Sequence, residues 1–364
     1  MLLYRSRRQA RLSGRANRSR SGYAPAADIL RISAEMQTPK RPLVTLFGGS
    51  GFVGGQSVRA LARAGYRVRV AVRSPGRGYR LRMLGDVGQI EVVQANVRDE
   101  ASVRRALEGA TACVNAVAVL YSSGRQSFEA LHVAAAGRIA MTALQLGVER
   151  LVHISSLGAD ESSPSAYART KAQGESAIRD AVPQAVILRP SVIFGPEDAF
   201  FNRFAALATV SPVLPLIGGG YTRMQPVYVA DVARAVAAAV SRPDAAGHTY
   251  ELAGPHIYSF KDLMEILLQV IQRRRALIPV PVPVAAGLGL IGDLAAALGV
   301  PPPLTTDQVR LLGLDNVADK RAKGLAELGV SPKALEPILP SYLYRFRPGG
   351  QYADAGILDA VEQA

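Results

Sequence analysis

Residues 43–54 constrain the fold of this 364-residue chain more than any other stretch. A short apolar run at 43–47 is followed by a glycine-rich segment at 48–54 and then by a helical pattern at 55–64. A strand, a turn with glycines three residues apart and a helix together predict the opening of a dinucleotide-binding domain. The first glycine would allow the tight turn, the second the approach of a pyrophosphate, and the third close packing of the helix. The loop residues predicted to bind the cofactor are Gly48, Ser50, Gly51, Phe52, Val53 and Gly54.

Strand and helix patterns alternate after this loop. Strands are expected at 66–73, 90–95, 112–120, 151–155 and 186–189, and helices at 99–107, 128–146, 166–180, 229–240 and 260–274. Such alternation is typical of an α/β fold with a doubly wound parallel sheet. Proline and glycine become frequent after residue 195, which indicates a smaller, irregular lobe. We therefore expect a Rossmann core at 42–195, a lobe at 196–345 whose helix near 229–240 returns to the core, and a tail at 346–364.

The basic charge of the chain is concentrated at its start. Residues 1–41 hold ten Lys or Arg residues against Asp28 and Glu35, so +8 of the net charge of +14 lies there. This segment has the composition of a transit peptide, of a basic arm or of an upstream extension without a role. We favour a disordered extension, with the working chain starting at Met36, because no periodic apolar face is present. The remainder is only mildly basic, and we expect no nucleic-acid partner.

The end of the second predicted strand indicates the cofactor. Where an acidic residue would bind the ribose 2′-hydroxyl of NAD, the chain has Arg73, with Arg77 close behind. A guanidinium favours a 2′-phosphate through charge-assisted hydrogen bonds. A solvated surface arginine is the alternative in an arginine-rich protein. We expect NADP(H), as NADPH, in preference to NAD(H).

Tyr167 and Lys171 are the strongest candidates for chemistry. Four residues apart on a predicted helix, they share a face, so that the phenol and the ammonium can point into one cleft. A nearby cation lowers the pKa of a phenol and suits it to exchange a proton with a carbonyl or an alcohol. Ser155 and Ser156, at the end of the preceding strand, could hydrogen-bond the same oxygen. An exposed helical pair without a role is the alternative.

The glycine spacing, Ser156, Tyr167-x-x-x-Lys171 and the segment 188–195 together resemble the extended and atypical short-chain dehydrogenase/reductases. The segments 153–159, 190–198 and 225–232 are similar, more specifically, to the nucleotide-binding accessory subunits of respiratory complex I and their bacterial counterparts. The resemblance covers about 42–345, and its latter two segments are more specific than the glycine loop.

This resemblance implies a tightly held NADPH and a largely structural role in assembly or stability of an NADH:quinone oxidoreductase. It implies other complex I subunits as partners and a peripheral position on the cytoplasmic side of a bacterial inner membrane, or on the matrix side in mitochondria. By similarity Asn96 and Val97 border the adenine, Asn115, Ala116 and Val117 run beneath the ribose, and Pro190 and Ile193 meet the nicotinamide end. Ser156, Tyr167 and Lys171 are the catalytic set if the protein turns over a substrate.

An enzyme of the same fold is the alternative, namely an NADP(H)-dependent reductase or epimerase acting on a sugar-nucleotide, sterol-like or isoprenoid substrate. The apolar, proline-containing stretch 276–303 instead favours docking on protein or on the membrane surface. His132 and His153 are expected to be hydrogen-bonded structural residues, Cys113 a buried one, and Gly147 a helix C-cap. No metal site and no membrane-spanning helix is expected.

Overall fold

The computed structural model describes residues 41–350. The predictions for residues 1–40 and 351–364 lie outside the described residues. Strands are β1 (Leu43–Phe47), β2 (Arg67–Val72), β3 (Ile90–Gln94), β4 (Ala112–Asn115), β5 (Arg150–Ile154), β6 (Val186–Pro190), β7 (Ile193–Phe194), β8 (Val213–Ile217), β9 (Arg223–Met224), β10 (Val227–Tyr228), β11 (Thr249–Leu252), β12 (Tyr258–Ser259) and β13 (Ala276–Val280). Helices are α1 (Phe52–Arg63), α2 (Pro75–Gly78), α3 (Glu100–Leu107), α4 (Ala135–Gln145), α5 (Ala166–Ala181), α6 (Phe201–Val210), α7 (Val229–Ser241), α8 (Phe260–Val270), α9 (Val282–Ala297), α10 (Thr306–Leu312) and α11 (Pro340–Leu343).

Seven of these strands form one parallel sheet in the order β11-β6-β5-β4-β1-β2-β3. The chain moves outward from β1 to β3 and then returns to β4 on the other side of β1. A ligand crevice forms at such a reversal, outside the carboxyl ends of the strands. The predicted α/β doubly wound fold is confirmed, and the crevice lies between the loops that follow β1 and β4.

Helices cover both faces of the sheet, each through an aliphatic stripe. On one face α1 and α7 contribute Val58, Leu61, Val232 and Val236 to the core. On the other face α3, α4 and α5 contribute Val103, Leu107, Ile139 and Ile178. Cys113 and Gly147 match their predictions, since the thiol is fully buried and Gly147 ends α4 with φ +66°. Leu325, Leu328 and Val330 return to the first of these cores from the C-terminal region.

Several element boundaries differ from the predictions for local reasons. The strand expected at 112–120 ends at Asn115, whose side-chain oxygen accepts the N–H of Val117 at 3.1 Å and turns the chain out of the sheet. The helix expected at 260–274 ends at Val270, and Gln272 then adopts a left-handed φ of +53°. Strand β11, at the edge of the sheet, was not predicted.

The C-terminal region adds an aromatic and aliphatic core of its own and a helix with an exposed apolar surface. Phe194, Phe201 and Phe260 are buried in that core. The run 276–292 divides into β13 and α9, because Pro281 and Pro283 lie at the start of the helix, where proline is tolerated. Among residues 41–350 no helix has both the length and the apolar composition needed to cross a bilayer.

Candidate functional site

The glycine loop, residues 48–54, is shaped by contacts that exclude side chains. Gly48 has φ +81°, and a Cβ there would lie 2.7 Å from the carbonyl oxygen of Ala116 in the loop after β4. A Cβ on Gly54 would lie 2.3 Å from the carbonyl oxygen of Gly48, so the first turn of α1 sits directly on the loop. Glycine is therefore required at both positions.

Gly51 differs from these two glycines because it is exposed. Its φ of −83° and ψ of 173° are extended backbone that any residue adopts, and a Cβ would meet only the Gly48 carbonyl oxygen, at 3.3 Å. Helix α1 starts at the next residue with no side-chain cap and no acidic residue in its first turn. The start of the helix therefore offers N–H groups and a positive dipole end to an anion. Ser50, Phe52 and Val53 are half-buried beside it.

Arginines surround the adjacent end of β2. Arg73 follows the strand, is exposed, and donates to the side-chain oxygen of Gln126. Next to the glycine loop lies an open depression of about 330 Å³ lined by Ser50, Gly76, Arg77 and Arg80. Two guanidinium groups and a hydroxyl around one space are donors that suit a phosphate.

The predicted adenine and ribose residues occupy the carboxyl ends of β3 and β4. Asn96 uses its side-chain oxygen locally, accepting the N–H of Arg98 at 3.1 Å. Val97 is buried in the core. Asn115 is buried, and its Nδ2 has no hydrogen-bond partner among the described residues. Ala116 and Val117 are half-buried.

The hydroxyl of Ser155, at the end of β5, is likewise buried without a partner in the described part of the chain. Buried polar groups in native proteins nearly always have partners, so unpaired groups beside a crevice indicate a ligand there. The glycine loop, the open α1 terminus and these two side chains fit a dinucleotide.

Ser156 and Tyr167 share a hydrogen bond at the other end of the crevice, and Lys171 follows Tyr167 on α5. Burial raises the pKa of the Tyr167 phenol; the hydrogen bond with Ser156 lowers it by less, and the charge of Asp307 adds a small further increase. Lys171 is 1% exposed, and its Nζ donates to the carbonyl oxygen of Ile154 at 2.7 Å. Burial lowers the pKa of this ammonium to about 8, against a smaller opposing effect of Glu175. Tyr167 and Lys171 both lie on α5, as predicted, but the ammonium is hydrogen-bonded to the end of β5, and the expected lowering of the phenol pKa is wrong.

The two histidines differ from each other. Nε2 of His132 accepts the N–H of Val119 at 3.2 Å and Nδ1 lies 3.1 Å from Oγ1 of Thr170, so its prediction as a hydrogen-bonded residue is confirmed. Burial, together with the charge of Lys171, lowers the pKa of His132 to about 3, which keeps the ring neutral. The prediction for His153 was wrong, because neither ring nitrogen has a partner within residues 41–350. Burial holds the pKa of His153 well below its usual value.

His132 lies in a π-helical turn, Glu129–Ala134, where the sequence predicted a continuous helix. Phe128 and His132 stack at 5.3 Å between ring centroids, and Tyr167 meets His132 edge-on at 5.4 Å. Such turns are frequent at functional sites. This aromatic cluster encloses one side of the Tyr167 ring.

Two residues of the C-terminal region complete the site, and sequence reasoning missed both. The Asp307 carboxylate accepts hydrogen bonds at the start of α5, and the Asn316 side chain binds Ser191 next to Pro190. Pro190 itself is buried and Ile193 half-buried. Each contact joins residues more than 120 positions apart, and no local pattern in the sequence signals it.

Within residues 41–350 no group of three or more His, Cys, Asp or Glu side chains is arranged to hold a metal ion.

The comparisons agree with this geometry. The NAD dependent epimerase/dehydratase family matches residues 44–253. The chain is 33% identical over 316 residues to NADH dehydrogenase [ubiquinone] 1 alpha subcomplex subunit 9, mitochondrial, of Arabidopsis thaliana, covering 85% of this chain and 79% of that protein. It is 34% identical over 208 residues to a ceramide reductase of Caulobacter vibrioides, covering 57% of this chain and 64% of that protein.

Among solved structures, the NADPH-dependent quinone oxidoreductase QOR2 of Escherichia coli, complexed with NADPH, is similar in fold. Its TM-score is 0.65 at 22% identity, with 83% of this chain and 99% of that chain covered. The family match spans more than half of the chain and includes all seven strands of the main sheet, apart from Leu43 at the start of β1. The chain therefore belongs to the NAD dependent epimerase/dehydratase family and, within it, to the family of the complex I 1 alpha subcomplex subunit 9 proteins.

Proposed function

We propose that this chain is an NADPH-binding accessory subunit of a respiratory NADH:quinone oxidoreductase, where it supports assembly or stability. The observation that carries the proposal is the likeness to complex I subunit 9 over 85% of the chain, since it extends through the lobe as well as the nucleotide core. Its partners are then other subunits of that complex. Its place is the periphery of the membrane, on the cytoplasmic side in a bacterium or the matrix side in a mitochondrion.

Helix α9 provides the docking surface that such a subunit needs. Seven aliphatic side chains on or next to this helix are each 46–75% exposed: Val282, Val284, Leu288, Leu290, Ile291, Leu294 and Leu298. Exposed apolar side chains are ordinary when scattered, but a contiguous group marks an interaction site. The inner side of the helix is fixed by Ala285, Gly289, Gly292 and Ala296, which are buried against the following segment.

The residues of the crevice fit NADPH. The glycine loop and the start of α1 would hold the pyrophosphate, and Asn115 and Ser155 offer unpaired polar groups at the ends of β4 and β5. Arg73, with Arg77 in the depression beside Ser50, would hold a 2′-phosphate, which is the basis for preferring NADPH over NADH. When bound, NADPH supplies a hydride. Lys171 and Tyr167 would hold the nicotinamide ribose through hydrogen bonds.

The docking proposal is tested by making the α9 surface polar. In the double variant Ile291→Ser/Leu294→Ser the fold should persist, because both side chains are about two-thirds exposed. The variant should retain its dinucleotide, while its amount in the solubilised, purified respiratory complex falls by roughly tenfold or more, since apolar contacts of this size contribute a few kcal/mol.

Met83→Ser/Val87→Ser is the matched control, since it removes two aliphatic side chains that are even more exposed, at 83% and 107%, from another surface. The control should assemble like the wild type. Equal incorporation of both double variants would contradict α9 as the docking surface.

A reductase is the second candidate because Tyr167 and Lys171 lie four residues apart on α5 and Ser156 shares a hydrogen bond with the Tyr167 phenol. A ceramide reductase is also among the relatives. In this alternative the phenol of Tyr167 gives its proton to a carbonyl oxygen as NADPH is oxidised. NADPH oxidation that requires Tyr167, in a protein absent from membrane complexes, would favour the enzyme.

A further inference from the structure

The segment 305–316 of the C-terminal lobe reaches across to the Tyr167 end of the crevice. Its Asp307 carboxylate accepts the hydroxyl of Ser165 at 2.8 Å, the N–H of Ala166 at 2.6 Å and the N–H of Tyr167 at 3.1 Å. These groups form the N-terminus of α5, the helix that carries Tyr167 and Lys171. A carboxylate at a helix N-terminus stabilises it both by hydrogen bonds and through the helix dipole.

Asn316, at the other end of this segment, holds two more parts of the crevice. Its side-chain oxygen accepts the hydroxyl of Ser191 at 2.6 Å and the N–H of Val192 at 3.1 Å, just after β6. Its Nδ2 donates to the carbonyl oxygen of Leu157 at 3.4 Å, just after β5. The segment thus joins the loops that follow β5 and β6 and the start of α5.

The same segment is fixed to helix α9. A Cβ on Gly292 would lie 1.7 Å from the carbonyl oxygen of Leu304, and one on Gly289 would lie 2.7 Å from the N of Thr306. The side chain of Asp293 accepts the N–H of Thr306 at 3.3 Å. Movement of the segment would therefore have to carry α9 with it.

We propose that residues 305–316 form a latch over the nicotinamide end of the crevice, with Asp307 as its positioning residue, and that the dinucleotide leaves only after the latch has opened. The inference rests on the proposed NADPH-binding function and extends it. Because α9 is fixed to the latch, a partner protein bound to α9 would hold the latch closed. Docking would then retain the nucleotide.

Asp307→Asn tests the latch with the smallest change in shape. Each carboxylate oxygen accepts a backbone N–H, from Ala166 or from Tyr167, so in either orientation the amide NH₂ of asparagine must face an N–H group and repel it. We expect the isolated chain to release NADPH at least about tenfold faster, measured by the loss of its fluorescence when excess NADP⁺ displaces it; tenfold corresponds to about 1.4 kcal/mol. Affinity for 2′,5′-ADP, which lacks the nicotinamide half, should stay within about twofold of the wild type.

Asp262→Asn is the matched control, because Asp262 completes the capping box at the start of α8, away from the glycine loop and Tyr167. It removes the same kind of carboxylate from a helix N-terminus. It should change neither the rate of NADPH release nor the affinity for 2′,5′-ADP. Asn316→Ala is a second route if Asp307→Asn fails to fold, and it should likewise accelerate NADPH release and spare 2′,5′-ADP.

Unchanged NADPH release from folded Asp307→Asn, or equal weakening of NADPH and 2′,5′-ADP, would overturn the latch while leaving the accessory-subunit proposal in place. A wild type that binds neither compound would overturn the latch and the nucleotide part of the proposed function together.

Discussion

The two ends of the crevice are built in different ways. The glycine-loop end is built mainly by residues 48–54: the glycines contact one another, with a further contact to the loop after β4, and they leave room by having no side chains. The Tyr167 end is assembled from side chains that lie far apart in the sequence, namely Phe128, His132, Tyr167 and Asp307. The first end is open and rich in donors, whereas the second is enclosed. A site built in this way suits a ligand that enters by its phosphates and is retained at its other end.

The largest effect should follow a change at the open end. Gly51→Val places a branched side chain where the pyrophosphate of the dinucleotide would lie. The extended backbone of Gly51 suits valine, whose Cβ would meet only the Gly48 carbonyl oxygen, at 3.3 Å. We expect dinucleotide affinity to fall by more than about 100-fold, or roughly 2.7 kcal/mol, measured by titration calorimetry of the folded variant.

Gly55→Ala serves as the control for Gly51→Val. A Cβ at position 55 would lie 3.6 Å from the Leu81 side chain and 3.7 Å from the Gly49 carbonyl oxygen, and both are ordinary contacts on the same helix turn. This variant should bind like the wild type. A folded Gly51→Val protein with unchanged nucleotide content would show that the glycine loop is not the binding element.

This contrast also explains which features the sequence could predict. The glycine loop was predictable because its requirements, a positive φ at Gly48 and close contact at Gly54, arise between neighbours in the chain. The parallel sheet was predictable from the alternation of strand and helix patterns. Arg73 and the Tyr167–Lys171 spacing were recognisable for the same local reason.

The rest depended on contacts that sequence patterns do not encode. Asp307 lies 140 positions from Tyr167, and its own neighbourhood signals only the start of a short helix. The π-helical turn around His132 is set by packing against α5, where a Cβ on Gly174 would lie 2.1 Å from the His132 carbonyl oxygen. The Lys171 side chain is buried and points to the Ile154 carbonyl oxygen, and this direction also follows from tertiary packing.

A smaller effect is expected at Arg73, between the two ends. Removing one charge-assisted pair with a 2′-phosphate should cost about 1.5–3 kcal/mol, so Arg73→Ala should bind NADPH roughly 10- to 150-fold more weakly. Affinity for NADH, which has no 2′-phosphate, should stay unchanged.

Arg105→Ala, which removes an exposed arginine from α3, is the control for Arg73→Ala and should alter neither affinity. Titration of each variant with both nucleotides checks these expectations. Wild-type protein that binds NADH as tightly as NADPH would show that Arg73 does not bind the 2′-phosphate.

The smallest effect on assembly is expected at the enclosed end. Tyr167→Phe removes a hydroxyl whose pKa is raised mainly by burial and which therefore keeps its proton at neutral pH. Lys171 keeps its bond to the Ile154 carbonyl oxygen, and the ring keeps its contacts with Phe128 and His132, so the fold should lose only about 1 kcal/mol of stability with the hydrogen bond to Ser156.

In the accessory-subunit role Tyr167 reduces no substrate, so its phenol has no proton to deliver. The side chain needs only to lie next to the nicotinamide ribose. Complexes carrying Tyr167→Phe should therefore assemble and reduce quinone at the wild-type rate, within about twofold, whereas Gly51→Val should impair assembly. The comparison is made on membranes from cells that contain only the variant subunit. A wild-type protein that is absent from membrane complexes and oxidises NADPH, with an activity that disappears in Tyr167→Phe, would assign the enclosed end to catalysis, because a structural phenol would leave that rate unchanged.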